Sequence, residues 1–419
     1  MNASGVISGT VNQSARIGAS RATLLTLLVV SICINYIDRA NLSAAAEGLS
    51  RELFLDPKQM GLLFSSFFFS YAFFQIPSGW LIDRFNVYWI YAIGYFAWSA
   101  ATALTGFANS YNLILGLRLV LGMAEACAYP SYSKIIAGSF PESERGLPNA
   151  LIDAGSKLGP WLGLLIGGNI VAGYGWRMMF LVIGGVSMVW LIPWCLAIRG
   201  TSGKFGLLAD AGKTPSLGAI FSKRSAWGTF FGLLGSNYAW YFLLTWLPSY
   251  LQRERHFSQE KMSILGSLPF LAVAITSTFG GWLSDRLIRN GAPVTRIRKS
   301  FVIFGLLGAM AILPASVVRD ETLALVLITV ACAFYGLFSS NVWAVTQTLA
   351  GAAAAGKWTG IQNTFGNVSG IISPYLTGWI VAETHSFFWA FVFVAGALLA
   401  AASSHFFLVG ELKAIRWDD

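Results

Sequence analysis

Twelve apolar runs dominate this chain, at about 22–46, 58–79, 86–107, 110–137, 145–172, 176–198, 224–252, 260–286, 299–318, 321–350, 358–382 and 385–410. Each approaches the roughly 20 residues that a helix needs to cross the hydrocarbon of a bilayer. No soluble core of a 419-residue chain absorbs so many. Only 11% of the residues are charged, against about 25% in a soluble domain, and mean hydropathy is +0.62. In lipid each backbone polar group must be satisfied within its own segment, so such runs fold as helices. The expected class is an all-α integral membrane protein with twelve transmembrane helices in two six-helix bundles.

The division into bundles comes from the polar stretch 199–223, which has six runs on either side and contains Gly, Ser, Lys and Pro215. The expected organisation is a tail (1–21), an amino-terminal bundle (22–198), a linker (199–223), a carboxy-terminal bundle (224–410) and a second tail (411–419). GWLIDR (Gly79 to Arg84) follows the second run and GWLSDR (Gly281 to Arg286) follows the eighth. Near-identical strings at matching places in two halves are the mark of a repeated transporter fold. Asp83, Arg84, Asp285 and Arg286 then stand at short turns. There they either latch one side of the molecule to a neighbouring helix end or form plain charged turns.

The net charge of +9 does not point to nucleic acid. Of the 28 Lys and Arg, seventeen fall on the side of the two tails and seven on the other. By the positive-inside rule that asymmetry places both termini in the cytoplasm of a multi-pass plasma membrane protein, the inner membrane in a bacterium. The remaining four, Arg39, Arg118, Lys134 and Lys157, lie inside runs. Cys33, Cys127, Cys195 and Cys332 all sit in apolar runs, with neither disulfide nor metal spacing. His256, His385 and His405 are scattered, so no metal is expected. No GxxxxGK[ST] loop occurs, which argues against ATP as the energy source. No nucleophile–base pair or appended output domain suggests an enzyme or a receptor.

GWLIDR resembles the loop signature of the major facilitator superfamily. Within it, NYIDRANLS (Asn35 to Ser43), RLVLGMAEACAYP (Arg118 to Pro130), GYGWRMMFLVIGG (Gly173 to Gly185) and FGNVSGIISP (Phe365 to Pro374) resemble the anion:cation symporter family. The likeness spans all but the tails. It implies uptake of a small organic anion, most readily a sugar acid (hexonate, hexuronate or hexarate), with a proton as coupling ion and no other cofactor. Another carboxylate, such as a dicarboxylic or aromatic acid, and anion exchange or export remain open. A monomer in the bilayer is expected.

Charge inside a span costs at least about 2.5–3.5 kcal/mol and therefore marks a cavity, a pair or a function. Arg118 and Glu125 are seven residues apart, which puts them on one helix face about 10 Å apart, beyond direct pairing. Asp38 and Arg39 are adjacent, and adjacent helical residues do not face each other. Each needs a partner from elsewhere. Arginine stays charged and grips carboxylates with a planar fork, so Arg39 and Arg118 are the natural anion anchors. Burial raises a carboxyl's pKa and a nearby cation lowers it. A Glu125 that senses whether Arg118 holds a substrate would thus couple anion to proton. The structural alternative pairs Asp38 with Arg118 and Glu125 with Arg39 to hold the bundle together. The resemblance assigns Asp38 and Glu125 to proton coupling and Arg39 and Arg118 to the anion.

In the fifth run Asp153 and Lys157 are spaced four apart in the favoured acid-first order. They either neutralise each other or offer a third cation beside Ser156, where sugar-acid members of the family carry an uncharged stretch with an amide. Lys134, close to the end of its run, is expected to snorkel. Tyr36 precedes Arg39 by three residues and Tyr71 lies mid-way in the second run. By resemblance, Tyr36, Tyr71, Ser340, Asn341, Trp343 and Asn363 contact the neutral part of the ligand. No charge falls centrally in the last six runs, so the first half is expected to handle charge and the second to read hydroxyls.

Overall fold

The computed structural model describes the backbone of residues 7–140, 144, 146–199 and 215–417, with side chains described except at 7–20, 83, 146, 352 and 353. Residues 1–6 of the expected first tail, most of the linker and the Asp83 side chain lie outside the described residues, and the backbone of 7–21, expected as tail, is helical and continuous with the first crossing. The helices are α1 (Ile7–Leu53), α2 (Pro57–Arg84), α3 (Val87–Thr105), α4 (Tyr111–Glu125), α5 (Ala128–Ser139), α6 (Gly146–Leu162), α7 (Gly168–Val189), α8 (Leu191–Ala197), α9 (Leu217–Phe221), α10 (Arg224–Arg253), α11 (Gln259–Leu265), α12 (Leu268–Arg289), α13 (Val294–Ala309), α14 (Ile312–Ala315), α15 (Glu321–Thr384) and α16 (Phe388–Phe407). A π-helical turn, Gly163–Gly167, joins α6 to α7.

Among the described residues these elements make twelve crossings in two six-helix bundles. Eight helical stretches are long and apolar enough to span a membrane individually, and one of them, Leu147–Ala197, contains two crossings. The other three crossings are α3, α10 and α15 beyond Gly351. The first two dilute their hydropathy with residues such as Tyr91, Tyr95, Trp98, Tyr238, Trp240 and Tyr241. Two long helical runs are broken at glycines: Gly175 has φ 80° and Gly351 φ 64°. These are left-handed values that residues with a Cβ seldom adopt.

The ends are set by local chemistry. Asp56 accepts from the Gln59 amide at 2.7 Å while Gln59 answers to the Asp56 amide at 3.0 Å, a full capping box with Pro57 opening α2. Asn86, Ser110 and Asp320 cap α3, α4 and α15 in the same manner.

Glycines at every fourth position, 155, 159 and 163, let the fifth crossing lie directly on α1. A Cβ on Gly159 would sit 2.8 Å from the Cys33 carbonyl oxygen, and one on Gly163 3.1 Å from the Ile37 Cα. The bundles meet along α2 and the last part of α15, where Ser65 donates to the Ile371 carbonyl at 2.7 Å and a Cβ on Gly61 would sit 2.8 Å from the Pro374 carbonyl oxygen. Among the described residues the two ion pairs that join the bundles, Lys58–Glu383 and Arg253–Glu47 (both 2.5 Å), lie at the end away from the termini. Gln259 adds a bond to the Ala44 carbonyl there. The bundles are thus clasped on that side.

Gly159→Leu forces side-chain volume into a backbone contact. We expect a loss of about 1–3 kcal/mol or more, read as a lower thermal midpoint in detergent, whereas Gly173→Leu, with open space around it, leaves the midpoint unchanged.

Candidate functional site

Arg39 lies at the centre of the amino-terminal bundle. Its Nε donates to Glu125 Oε2 at 3.0 Å, and both side chains are almost wholly buried. Its guanidinium carbon lies 4.7 Å from the centroids of Tyr36 and Tyr71 and 5.0 Å from that of Phe67. The i, i+3 spacing on α1 brings Tyr36 over the charge. Phe67 and Tyr71, one turn apart on α2, stack at 5.6 Å and supply the other faces. Aromatic faces compensate part of the lost hydration of a cation. The pairing is incomplete, because Arg39 Nη2 and Glu125 Oε1 are buried without partners.

Arg118 lies within 5.0 Å of the same Phe67 ring, and its Nε has no partner. Asp38 forms no ion pair within 4.0 Å among the described residues. Its Oδ1 accepts from Asn41 at 3.2 Å and its Oδ2 is unpartnered. Of the two pairs anticipated, Arg39–Glu125 is therefore formed, and Asp38–Arg118 is not closed in this conformation. Two cations and two carboxylates share one buried volume with unused hydrogen-bonding edges.

The rest of the chamber comes from across the interface. Tyr241 on α10 lies 4.4 Å from the Phe68 ring and donates to Asn367 Oδ1 at 3.2 Å. Trp240 stacks on Tyr335 at 5.7 Å, and Lys157 Nζ sits 5.5 Å from the Trp240 centroid. Lys157 thus reaches from the first bundle to the second, while holding Asp153 only loosely at 3.8 Å. Ser156 is buried, its hydroxyl turned back to the Asp153 carbonyl at 2.7 Å. Trp343 and Asn363 are half-buried.

Asn341 and Ser340 stand in a different network. Asn341 Oδ1 accepts from Arg298 at 2.7 Å and its Nδ2 donates to Ser340 at 2.8 Å. Arg298 also donates to Ser284 and Asp285, at 2.9 and 2.6 Å. The Asp285 signature therefore ties α12 to the start of α13 and on to α15. Its neighbour Arg286 lies over Trp282 at 5.2 Å, as Arg84 lies over Trp80 at 5.4 Å, so the repeat extends to a matched Trp–Arg contact. Gly79 has open space around its Cα. Lys134 does not snorkel outward: its Nζ donates to the Ile82 carbonyl at 2.7 Å. Residues missed from sequence include Phe67, Tyr335 and Arg298. The aromatics read as ordinary apolar residues until the cations are placed beside them, and Arg298 sits in a basic stretch that looks like plain topology signal. Among the described residues no group of three or more His, Cys, Asp or Glu could hold a metal.

A Major Facilitator Superfamily model matches residues 28–374. The chain belongs to this superfamily. It is 31% identical to the "Probable galactarate/D-glucarate transporter GarP" of Escherichia coli, over 97% of this chain and 99% of that protein. It is 30% identical to the "D-galactonate transporter" of Escherichia coli, covering 96% and 98% respectively. The fold matches the crystal structure of a bacterial homologue of the human lysosomal transporter Spinster with a TM-score of 0.75, at 19% identity over 93% of this chain and 94% of that one. As a major facilitator this protein is a multi-pass membrane transporter and not an enzyme.

Removing Arg39 leaves Glu125 as a lone buried carboxylate. We expect Arg39→Ala to cost about 3–5 kcal/mol, seen as a steep fall in thermal midpoint. Arg39→Ala combined with Glu125→Gln should recover most of it.

Proposed function

We propose that this transporter takes up a small organic anion together with protons, that the anion is a sugar acid, and that it works by alternating access. The observation that carries this reading is the half-satisfied Arg39–Glu125 pair, which leaves one guanidinium edge and one carboxylate oxygen unpartnered among buried aromatic rings. An incoming carboxylate fits the free edge of Arg39 in fork geometry. It competes with Glu125 for the same cation. A buried carboxylate that loses its cation is costly, so release of Glu125 is relieved by binding a proton, and the two ligands travel together. Tyr36, Tyr71 and Tyr241 offer hydroxyls and ring faces suited to a polyhydroxylated chain, and the names of the relatives fit that class.

Lys157 favours a diacid within it. The cation stands on the far wall of the chamber, over Trp240, with only a 3.8 Å hold on Asp153. A hexarate bridging Arg39 and Lys157 would satisfy both. The distribution of Lys and Arg supports cytoplasmic termini. The clasped side is then the outer one.

In proteoliposomes with an acidic exterior, wild-type protein should accumulate at least one of D-galactarate, D-glucarate and D-galactonate. Failure with all three removes the sugar-acid assignment. Glu125→Gln should abolish gradient-driven accumulation and keep substrate counterflow within about twofold; accumulation at the wild-type level contradicts the coupling role. Lys157→Gln should weaken uptake of the diacids by about tenfold, near 1.4 kcal/mol, while sparing D-galactonate. An equal effect on both classes means that Lys157 only balances Asp153.

A further inference from the structure

On the termini side of the Arg39–Glu125 pair, the amino-terminal bundle carries a second buried polar array that anion binding leaves unused. On α1, Ser31, Asn35 and Asp38 are spaced at helical intervals on one face. On α3, Tyr91, Tyr95, Ser99 and Thr102 repeat that spacing opposite them. All seven are at most 3% exposed. The Tyr91 hydroxyl donates to Ser31 Oγ at 2.7 Å and lies 2.9 Å from the Tyr132 hydroxyl, itself 3.3 Å from Ser31. These form a closed hydroxyl triangle.

Above the triangle the polar atoms are unmatched. Both side-chain polar atoms of Asn35, Asp38 Oδ2, the Tyr95 hydroxyl, Ser99 Oγ and Thr102 Oγ1 are buried without a partner in full hydrogen-bond geometry, with Thr102 facing Asp38 and Asn35 facing Glu125. A bare buried polar atom costs about 1–3 kcal/mol, and natural folds satisfy such groups with ordered water. So dense a group of unmatched donors and acceptors, between a carboxylate and a hydroxyl triangle, is built to hold a short file of water. Ser31 is about 10 Å along α1 from Asp38, and Tyr91 about 6 Å from the start of α3 at that end. The array therefore runs from the charged cluster toward the termini side and ends at the buried hydroxyl triangle, about one helical turn short of the α3 end. Its walls are aromatic: Tyr91 touches the rings of Tyr95, Trp98, Trp190 and Trp194, at 5.2 to 6.2 Å.

We infer that this array is a hydrated proton route from Asp38 and Glu125 to the termini side, separate from the path of the anion. The inference rests on the proton-coupled reading above. The charged and titratable groups facing Asp38 are Arg118 and Glu125 from α4 and Tyr95 from α3. In the transfer, the acid O–H of Asp38 breaks as a water at Asn35 takes the proton. Each oxygen in the file, ending with the triangle hydroxyls, accepts one proton and passes on another. One proton leaves on the termini side, every hydroxyl is restored and no phenolate forms. Ser31, Asn35, Tyr91 and Tyr132 are positioning residues, since none touches the anion.

The test uses the full chain in proteoliposomes with a pH-reporting dye in the lumen and D-galactarate as probe. Tyr91→Phe combined with Tyr132→Phe preserves ring packing and removes two relays; Asn35→Leu dries the file; Ser31→Thr keeps a hydroxyl. We expect the Tyr double variant and Asn35→Leu to slow gradient-driven uptake and lumen acidification about tenfold with counterflow within about twofold, and Ser31→Thr to match wild type. Equal losses in uptake and counterflow, with a lowered thermal midpoint, assign the array a packing role and overturn the route. Unchanged acidification in both relay variants also overturns it, while leaving symport intact. Absence of acidification in wild-type protein removes the symport reading, and the route with it.

Discussion

Two opposite charges buried inside the amino-terminal bundle govern this molecule. Arg39 and Glu125 are each too costly to bury alone, and their union is strong enough to persist in a membrane interior. Everything around the pair compensates it. Tyr36, Phe67 and Tyr71 surround the guanidinium with ring faces, and α1 is brought hard against the fifth crossing by glycines. The bonds left unmade are as informative as those formed. A fully satisfied pair would be a structural staple, whereas this one keeps an open edge on each partner.

The bundles divide the labour unevenly. The charges of the chamber, Arg39, Arg118, Asp38, Glu125 and Lys157, all belong to the first bundle, and the second contributes aromatic rings and amides such as Trp240, Tyr241, Tyr335 and Asn367. Residues that balance charge constrain one another through long-range fields in a low dielectric, while residues that make hydrogen bonds and ring contacts act locally. Substitutions on the second bundle can therefore retune which ligand is held without disturbing the electrostatic balance of the first.

Much of this was legible in the sequence. Twelve runs of spanning length left one backbone solution, and GWLIDR and GWLSDR marked the repeat before any coordinates. The isolated charges identified themselves, because lipid makes each one expensive. What sequence could not decide was partnership. Arg39 and Glu125 are 86 positions apart, and only the arrangement of α4 beside α2 and α3 brings them within reach while Asp38 and Arg118 stay apart. Asn341 and Ser340 illustrate the same limit: helical spacing places them on a face, but it takes the position of Arg298 at the start of α13 to reveal what that face meets. Tyr91 and Tyr132 were hidden for another reason. A tyrosine in an apolar run looks like core, and its hydroxyl becomes meaningful only beside Ser31.

The glycine contact between α1 and the fifth crossing has a geometric consequence. Cys33, Tyr36 and Ile37 touch bare backbone at Gly159 and Gly163, so no long side chain lies between the two helices to flex or change rotamer. The backbones that carry Arg39 and Lys157 are therefore held at a spacing set by hydrogen atoms at Gly159 and Gly163, where other residues carry a side chain.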